Sequence, residues 1–246
     1  EAFAGIFSGL LAVYSLRFPF YAQSGIAFIG IPAAMALTEH AAKTRIKNSF
    51  ANIVKIIQYS LFTNKELCYN IMFSGVIGAA TLTMAWFVQP LLIELDTPTS
   101  WFGIIWTILN LTVGISALYS DKLDQRLGSL RMYAFILFFI VSGYIAVAFN
   151  ISYVGLICLF FFYIVRGFAT PILKGYINQI TFSEMRATVL SIRNFVIRLM
   201  FAAMAPLVGW LHDLYSLSIA LQATAAIIFV PGLLFLILQW RYSKKV

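Results

Sequence analysis

The sequence predicts an all-α, polytopic membrane helical bundle with eight transmembrane helices, on three observations. Hydrophobic residues make up 61% of the chain and charged residues 11%, for a mean hydropathy of +0.90, well outside the range of soluble domains. The apolar residues gather into runs near the ~20 residues that a helix needs to cross the hydrocarbon core. The basic residues fall in short segments between those runs, so the net charge of +8 reads as membrane topology and excludes nucleic acid as a partner.

The predicted spans are 2–16, 18–37, 67–92, 101–119, 132–149, 153–173, 187–210 and 217–240. The first is short, as expected of a chain that begins partway along a helix; Glu1-Ala2-Phe3 gives neither an initiator Met nor a signal-peptide n-region. Lys43, Arg45, Lys47, Lys55 and Lys65 lie between the second and third spans, and Lys122, Arg126 and Arg131 between the fourth and fifth. Lys174, Arg186 and Arg193 are assigned to the connection between the sixth and seventh, and Arg241, Lys244 and Lys245 to the tail. The other connections hold Arg17 alone, then Glu94 and Asp96, no charge near Asn150, and His212 with Asp213. By the positive-inside rule the basic connections are cytoplasmic, as are the chain start and tail. The expected location is the plasma membrane, the inner membrane in a bacterium.

The long connection has its own pattern. Ile46, Phe50, Ile53, Ile57 and Leu61 recur at helical spacing among Lys and Asn, which predicts an amphipathic helix on the inner surface of the bilayer. Further along, Pro171 and Gly175 close the sixth span, and Thr181 with Glu184 has capping-box spacing for the start of the next helix. Pro206 with Gly209, and Pro231 with Gly232, are placed to bend the seventh and eighth spans.

Polar residues on one face of a span point into the bundle or a wet cavity, because facing lipid is costly. Asn70, Ser74, Gly78 and Thr81 form such a stripe in the third span, and Trp106, Asn110 and Gly114 in the fourth. Tyr163, Arg166, Thr170 and Lys174 do so in the sixth, and Ser191, Asn194 and Arg198 in the seventh. The fifth and eighth spans lack a stripe and are expected on the outside. Asn70, Ser74, Thr81, Trp106, Asn110, Tyr163, Arg166, Thr170, Asn194 and Arg198 are therefore the candidate substrate-binding residues.

Arg166 and Arg198 lie on the order of 10 Å inside the predicted cytoplasmic boundaries, and no Asp or Glu occupies the middle of any span. Three roles stay open for Arg166: holding carbonyls at a cytoplasmic closure, binding an anionic or polar substrate group, or pairing with a carboxylate outside this chain. Two distant histidines, and no serine or cysteine motif with a partner base, argue against an enzyme and against a cofactor. Cys68 and Cys158, each inside an apolar run, read as core thiols rather than metal ligands.

The segments "YSDKLDQRLGSLR", 119–131, and "YINQITFSEMRATVLSIRNFVIRLMFAAMAPLVGWLHD", 176–213, resemble the major facilitator superfamily of secondary transporters. The first is similar to the family's cytoplasmic signature, with Asp121 or Asp124 as its acid, then Arg126 and Gly128, and with Ser129-Leu130 where a basic pair is expected. The second is similar to the junction and penultimate helix of bacterial members, with Thr181, Glu184 and Arg186 at the junction and Gly209 and Asp213 near the outer end. In "GIFSG", Gly5 and Gly9 have the small-residue spacing of close helix packing, without the Gly-Pro of the family's antiporter motif.

The resemblance implies that the spans are the family's fifth through twelfth helices. Residues 1–38 would then be two helices of the N-terminal half, 39–66 a cytoplasmic amphipathic basic linker, and 67–246 the C-terminal six-helix half. The implied function is secondary active transport of a small-molecule substrate by alternating access, with export favoured. Coupling protons would act on helices outside this chain, on Asp213 or on the loop acids. The rival reading is a transporter-like receptor or membrane assembly factor without transport activity.

Overall fold

A computed structural model of the chain describes residues 2–15, 17–36 and 50–243. Its elements are α1 (Ala2–Tyr14), α2 (Phe18–Met35), α3 (Phe50–Gln58), α4 (Lys65–Glu94), α5 (Thr99–Ala117), α6 (Ser120–Leu127), α7 (Ser129–Phe149), α8 (Tyr153–Gln179), α9 (Arg186–Leu214) and α10 (Leu217–Ser243). A π-helical turn, Tyr59–Thr63, follows α3 directly. The all-α class is as the hydropathy pattern predicts.

Of the eight expected spans, six are matched among the described residues by helices that meet both length and hydropathy. Only α4, α5, α7, α8, α9 and α10, among the described residues, are long and apolar enough to cross a membrane. At 13 residues α1 rises about 20 Å, short of the ~30 Å core. In the 18 residues of α2, Gln23, Ser24, Pro19 and Pro32 dilute the apolar content. Six apolar helices of this length suit a bilayer, and we read the chain as a membrane protein.

Helix ends follow local chemistry. Asn64 leaves the helical region (φ −92°, ψ 98°) and its side chain accepts from the Leu67 N–H at 3.0 Å, which starts α4; Glu66 adds a negative charge to the first turn. The hydroxyl of Ser152 accepts from the Val154 N–H at 3.2 Å to start α8. Gly128 sits at φ 76°, which lets α6 turn into α7 without the penalty a side chain would incur. The predicted capping box does not form. Thr181 instead donates to the Ile177 carbonyl at 2.6 Å, and α9 starts at Arg186 with no side-chain cap and with Glu184 exposed.

At the centre lies α4, where 72% of its apolar stretch is buried, packed against α9, α10, α8 and α7. Phe73, Met84, Leu109, Ile136, Tyr144 and Phe162 are among the fully buried residues around it. The helix expected on the outside, α7, is as buried as α8, at 44% each. The reason is that Tyr133 and Tyr144 turn inward: Tyr144 donates its hydroxyl to the Ala80 carbonyl at 2.6 Å.

The reading of Gly5 and Gly9 as close packing is borne out, and it has a partner in Gly103. A Cβ on Gly103 would lie 2.3 Å from the Gly5 carbonyl oxygen, so α1 and α5 touch backbone to backbone. Residues 37–49, with Lys43, Arg45, Ile46 and Lys47, lie outside the described residues. Beyond them, Ile57 and Leu61 pack with Leu67, Ile177, Val189 and Val196, while Phe50 stays 81% exposed. The amphipathic stretch thus rests on α4, α8 and α9.

Candidate functional site

Arg166 is a half-buried cation at the midpoint of α8. Sequence boundaries put it some 10 Å inside the membrane, but α8 runs on to Gln179, leaving thirteen residues of helix on either side of Arg166. That is about 20 Å to each end, more than an arginine side chain can span.

The neighbours of Arg166 leave it short of partners. Its guanidinium carbon lies 5.1 Å from the centroid of the Tyr163 ring, one turn earlier on the same helix face, in cation–π range. Tyr163 is fully buried, and among the described residues neither its hydroxyl nor Arg166 Nη1 has a hydrogen-bond partner. Thr170 donates to the Arg166 carbonyl at 3.4 Å. On the adjoining face, a Cβ on Gly167 would lie 2.0 Å from Ser116 Oγ, which shows how tightly α5 and α8 pack here. A buried phenol and a buried guanidinium nitrogen, both free to donate, form a site for an oxygen-rich acceptor.

A second arrangement lies toward the end where α4 starts. Tyr176 of α8 donates its hydroxyl to Asp124 Oδ1 of α6, and its ring lies 5.3 Å from that of Tyr133 on α7. Tyr133 in turn donates to Asn70 Oδ1 on α4, while Asn70 Nδ2 donates to the Glu66 carbonyl at 2.8 Å. One turn along α4, Ser74 accepts from Nε of Arg193 on α9, and Arg193 Nη1 donates to Asn194 Oδ1 at 3.2 Å. Five helices are tied by this seam.

The seam changes the reading of several predicted site residues. Asn70 and Ser74 are buried and engaged with neighbouring helices, and Thr81 donates to the Gly78 carbonyl at 3.0 Å. Asn70 and Ser74 tie α4 to its neighbours, while the Thr81 bond stays within α4. Asn110 donates to the Trp106 carbonyl at 2.8 Å. Asn194 and Arg198 are exposed, together with Ser191. Arg198 lies twelve residues into α9, the least buried of the six apolar helices at 17%.

Arg193 is the residue that sequence reasoning misplaced. The charge pattern places it in a cytoplasmic connection, yet it is 4% exposed and lies about two turns into α9. Its spacing from Val189, Ile192 and Val196, all buried, is the signal that could have found it. Tyr133 and Tyr176 were also missed, since a tyrosine in an apolar run looks the same from sequence whether it faces lipid or a neighbour.

At the ends of the bundle, Asp121 and Arg126 are exposed on α6, and Arg186 Nη2 donates to the Asn178 carbonyl at 3.2 Å, closing the α8–α9 turn. At the opposite end His212 stands 3.8 Å from Glu94 and 3.5 Å from Asp213, linking α4 to α9. Among the described residues no Lys or Arg lies within ion-pair distance of an acid, so Arg166, Arg193 and Arg198 have no carboxylate partner there. No family model matches the chain, and no curated protein matches it.

Proposed function

We propose that this protein is a secondary active transporter of the major facilitator type, moving a small anionic or hydrogen-bond-accepting solute by alternating access around a midplane site. Arg166 carries the reading. A guanidinium at the midpoint of an apolar helix, stacked on a buried tyrosine and without a carboxylate, is costly unless a ligand or water repays it. Thr170 and the exposed Ser191, Asn194 and Arg198 of α9 would line the aqueous path, because a polar face on such a helix is disfavoured in lipid.

In this reading the seam from Asp124 to Arg193 holds the basic end of the bundle as one body while the helices rock. That end is cytoplasmic by its charge, and a cysteine at the exposed Gln125 of α6 should react with an impermeant maleimide only after the membrane is opened. Solute flux into proteoliposomes, made with the product of the whole reading frame and screened across small organic anions, tests the transport reading. A receptor or assembly factor would bind without saturable flux.

A further inference from the structure

The start of α7 and the end of α10 run antiparallel along the surface of the bundle, and a slot of about 280 Å³ opens between them. Leu130, Arg131 and Ala134 line it from α7, and Leu236, Ile237 and Trp240 from α10. The slot exists because Ala134, one turn after Leu130 on the same face, is too short to reach the larger side chains of α10. Its lining is apolar: Arg131, an exposed residue of the first turn of α7, meets the slot through its aliphatic stem.

We propose that this slot binds one molecule of an anionic glycerophospholipid, its acyl chain against Ala134, Leu236 and Ile237 and its phosphate on Arg131. Charge and position select the occupant. Arg131 is exposed in the first turn of α7, with no acid within ion-pair distance among the described residues, and Arg241 adds a second exposed cation beside Trp240. Trp240, 43% exposed in the last turn of α10, stands where indole rings sit at the headgroup level. A hydrocarbon chain arriving sideways from the bilayer suits a slot whose lining is apolar along its length. A guanidinium binds a phosphate through two parallel hydrogen bonds, which a zwitterionic headgroup neutralises in part with its own cation. The site rests on the membrane reading and is independent of transport.

The test uses Trp240 as its own reporter. The full chain is reconstituted in phosphatidylcholine vesicles doped with a minor fraction of either phosphatidylglycerol or phosphatidylcholine brominated on the acyl chain, and tryptophan quenching is compared. One cation at the membrane surface favours an anionic lipid about five-fold, so brominated phosphatidylglycerol should quench more strongly at equal fraction. The excess should vanish in Trp240→Phe, which removes the reporter, and fall to parity in Arg131→Gln. Arg131→Lys should keep most of it. Ala134→Phe, which fills the slot and leaves Arg131 in place, should abolish it with an unchanged far-UV circular dichroism spectrum. Equal quenching by the two lipids in the unmodified protein, or an excess that survives Arg131→Gln or Ala134→Phe, overturns the proposal.

Discussion

Arg193 on α9 donates through Nε to the hydroxyl of Ser74 on α4, and the two side chains are 4% and 0% exposed. The bond joins the central helix to the least buried apolar one, at a level where small residues on α4 make room. A Cβ on Gly75 would lie 2.8 Å from Val196, and one on Gly78 2.6 Å from Ile197. The guanidinium is thus clamped by packing on the same face that it hydrogen-bonds.

Ser74→Ala should therefore destabilise the bundle by about 1–2 kcal/mol, since it leaves a buried cation short of an acceptor. Thr224→Val is the control: Thr224 is equally buried but donates only to its own helix, at the Ala220 carbonyl. Equilibrium unfolding in mixed micelles compares the two. Equal losses would mean that the α4–α9 bond contributes nothing beyond local packing.

Hydropathy made the six long helices and their all-α class legible, because an apolar run of 20 residues has few alternatives in a bilayer. The stripe on α4 was legible too, but its meaning was not. Asn70 and Ser74 stand in steps of four whether they face a cavity or a neighbouring helix, and only the positions of Tyr133 and Arg193 decide for the neighbours. Depth failed for a different reason. Pro171 and Gly175 predict an early end to the span, while α8 continues through both to Gln179 and carries Arg166 to the midpoint.

Tyr176 and Asp124 give a second test, at the junction of α6 with the bundle. Tyr176→Phe removes the side-chain bond from α8 to the α6 carboxylate, so backbone amides of Ser120–Leu127 should exchange about five-fold faster, as expected for the loss of about 1 kcal/mol. Tyr133→Phe, which breaks the bond to Asn70 instead, should leave α6 exchange near its original rate. If both variants speed α6 alike, the seam acts as a whole and the local contact has no separate role.

Two glycines on α5 predict opposite outcomes for the same substitution. Gly103→Ala would push a methyl against the Gly5 carbonyl, a backbone atom that cannot swing aside, so α1 must move off α5. Gly114 has nothing within 4 Å of its added Cβ, and Gly114→Ala should be neutral or raise stability by up to ~1 kcal/mol through helix propensity. Thermal unfolding monitored by circular dichroism in one detergent separates them. A Gly103→Ala protein as stable as the original would contradict the close contact of α1 with α5.

Arg166 gives the decisive test of transport. It stands at the midpoint of α8, and Tyr163 supplies a ring face but no negative charge. Arg166→Lys keeps a cation and loses the planar fork that can hold two oxygens at once, whereas Arg166→Ala loses both. In the protein from the whole reading frame, Arg166→Ala should reduce flux by at least ten-fold with normal insertion in the membrane. If Arg166 binds substrate, Arg166→Lys should raise the half-saturation concentration, and more steeply for anionic than for neutral solutes. A uniform drop in maximal flux across solutes would instead mean that the guanidinium holds helix-end carbonyls in a closed state. Tyr163→Phe adds to the choice by removing the second free donor beside the guanidinium. A shift in affinity for both Tyr163→Phe and Arg166→Lys, with maximal flux little changed, assigns the pair to substrate; near-normal flux in Arg166→Ala rejects both roles.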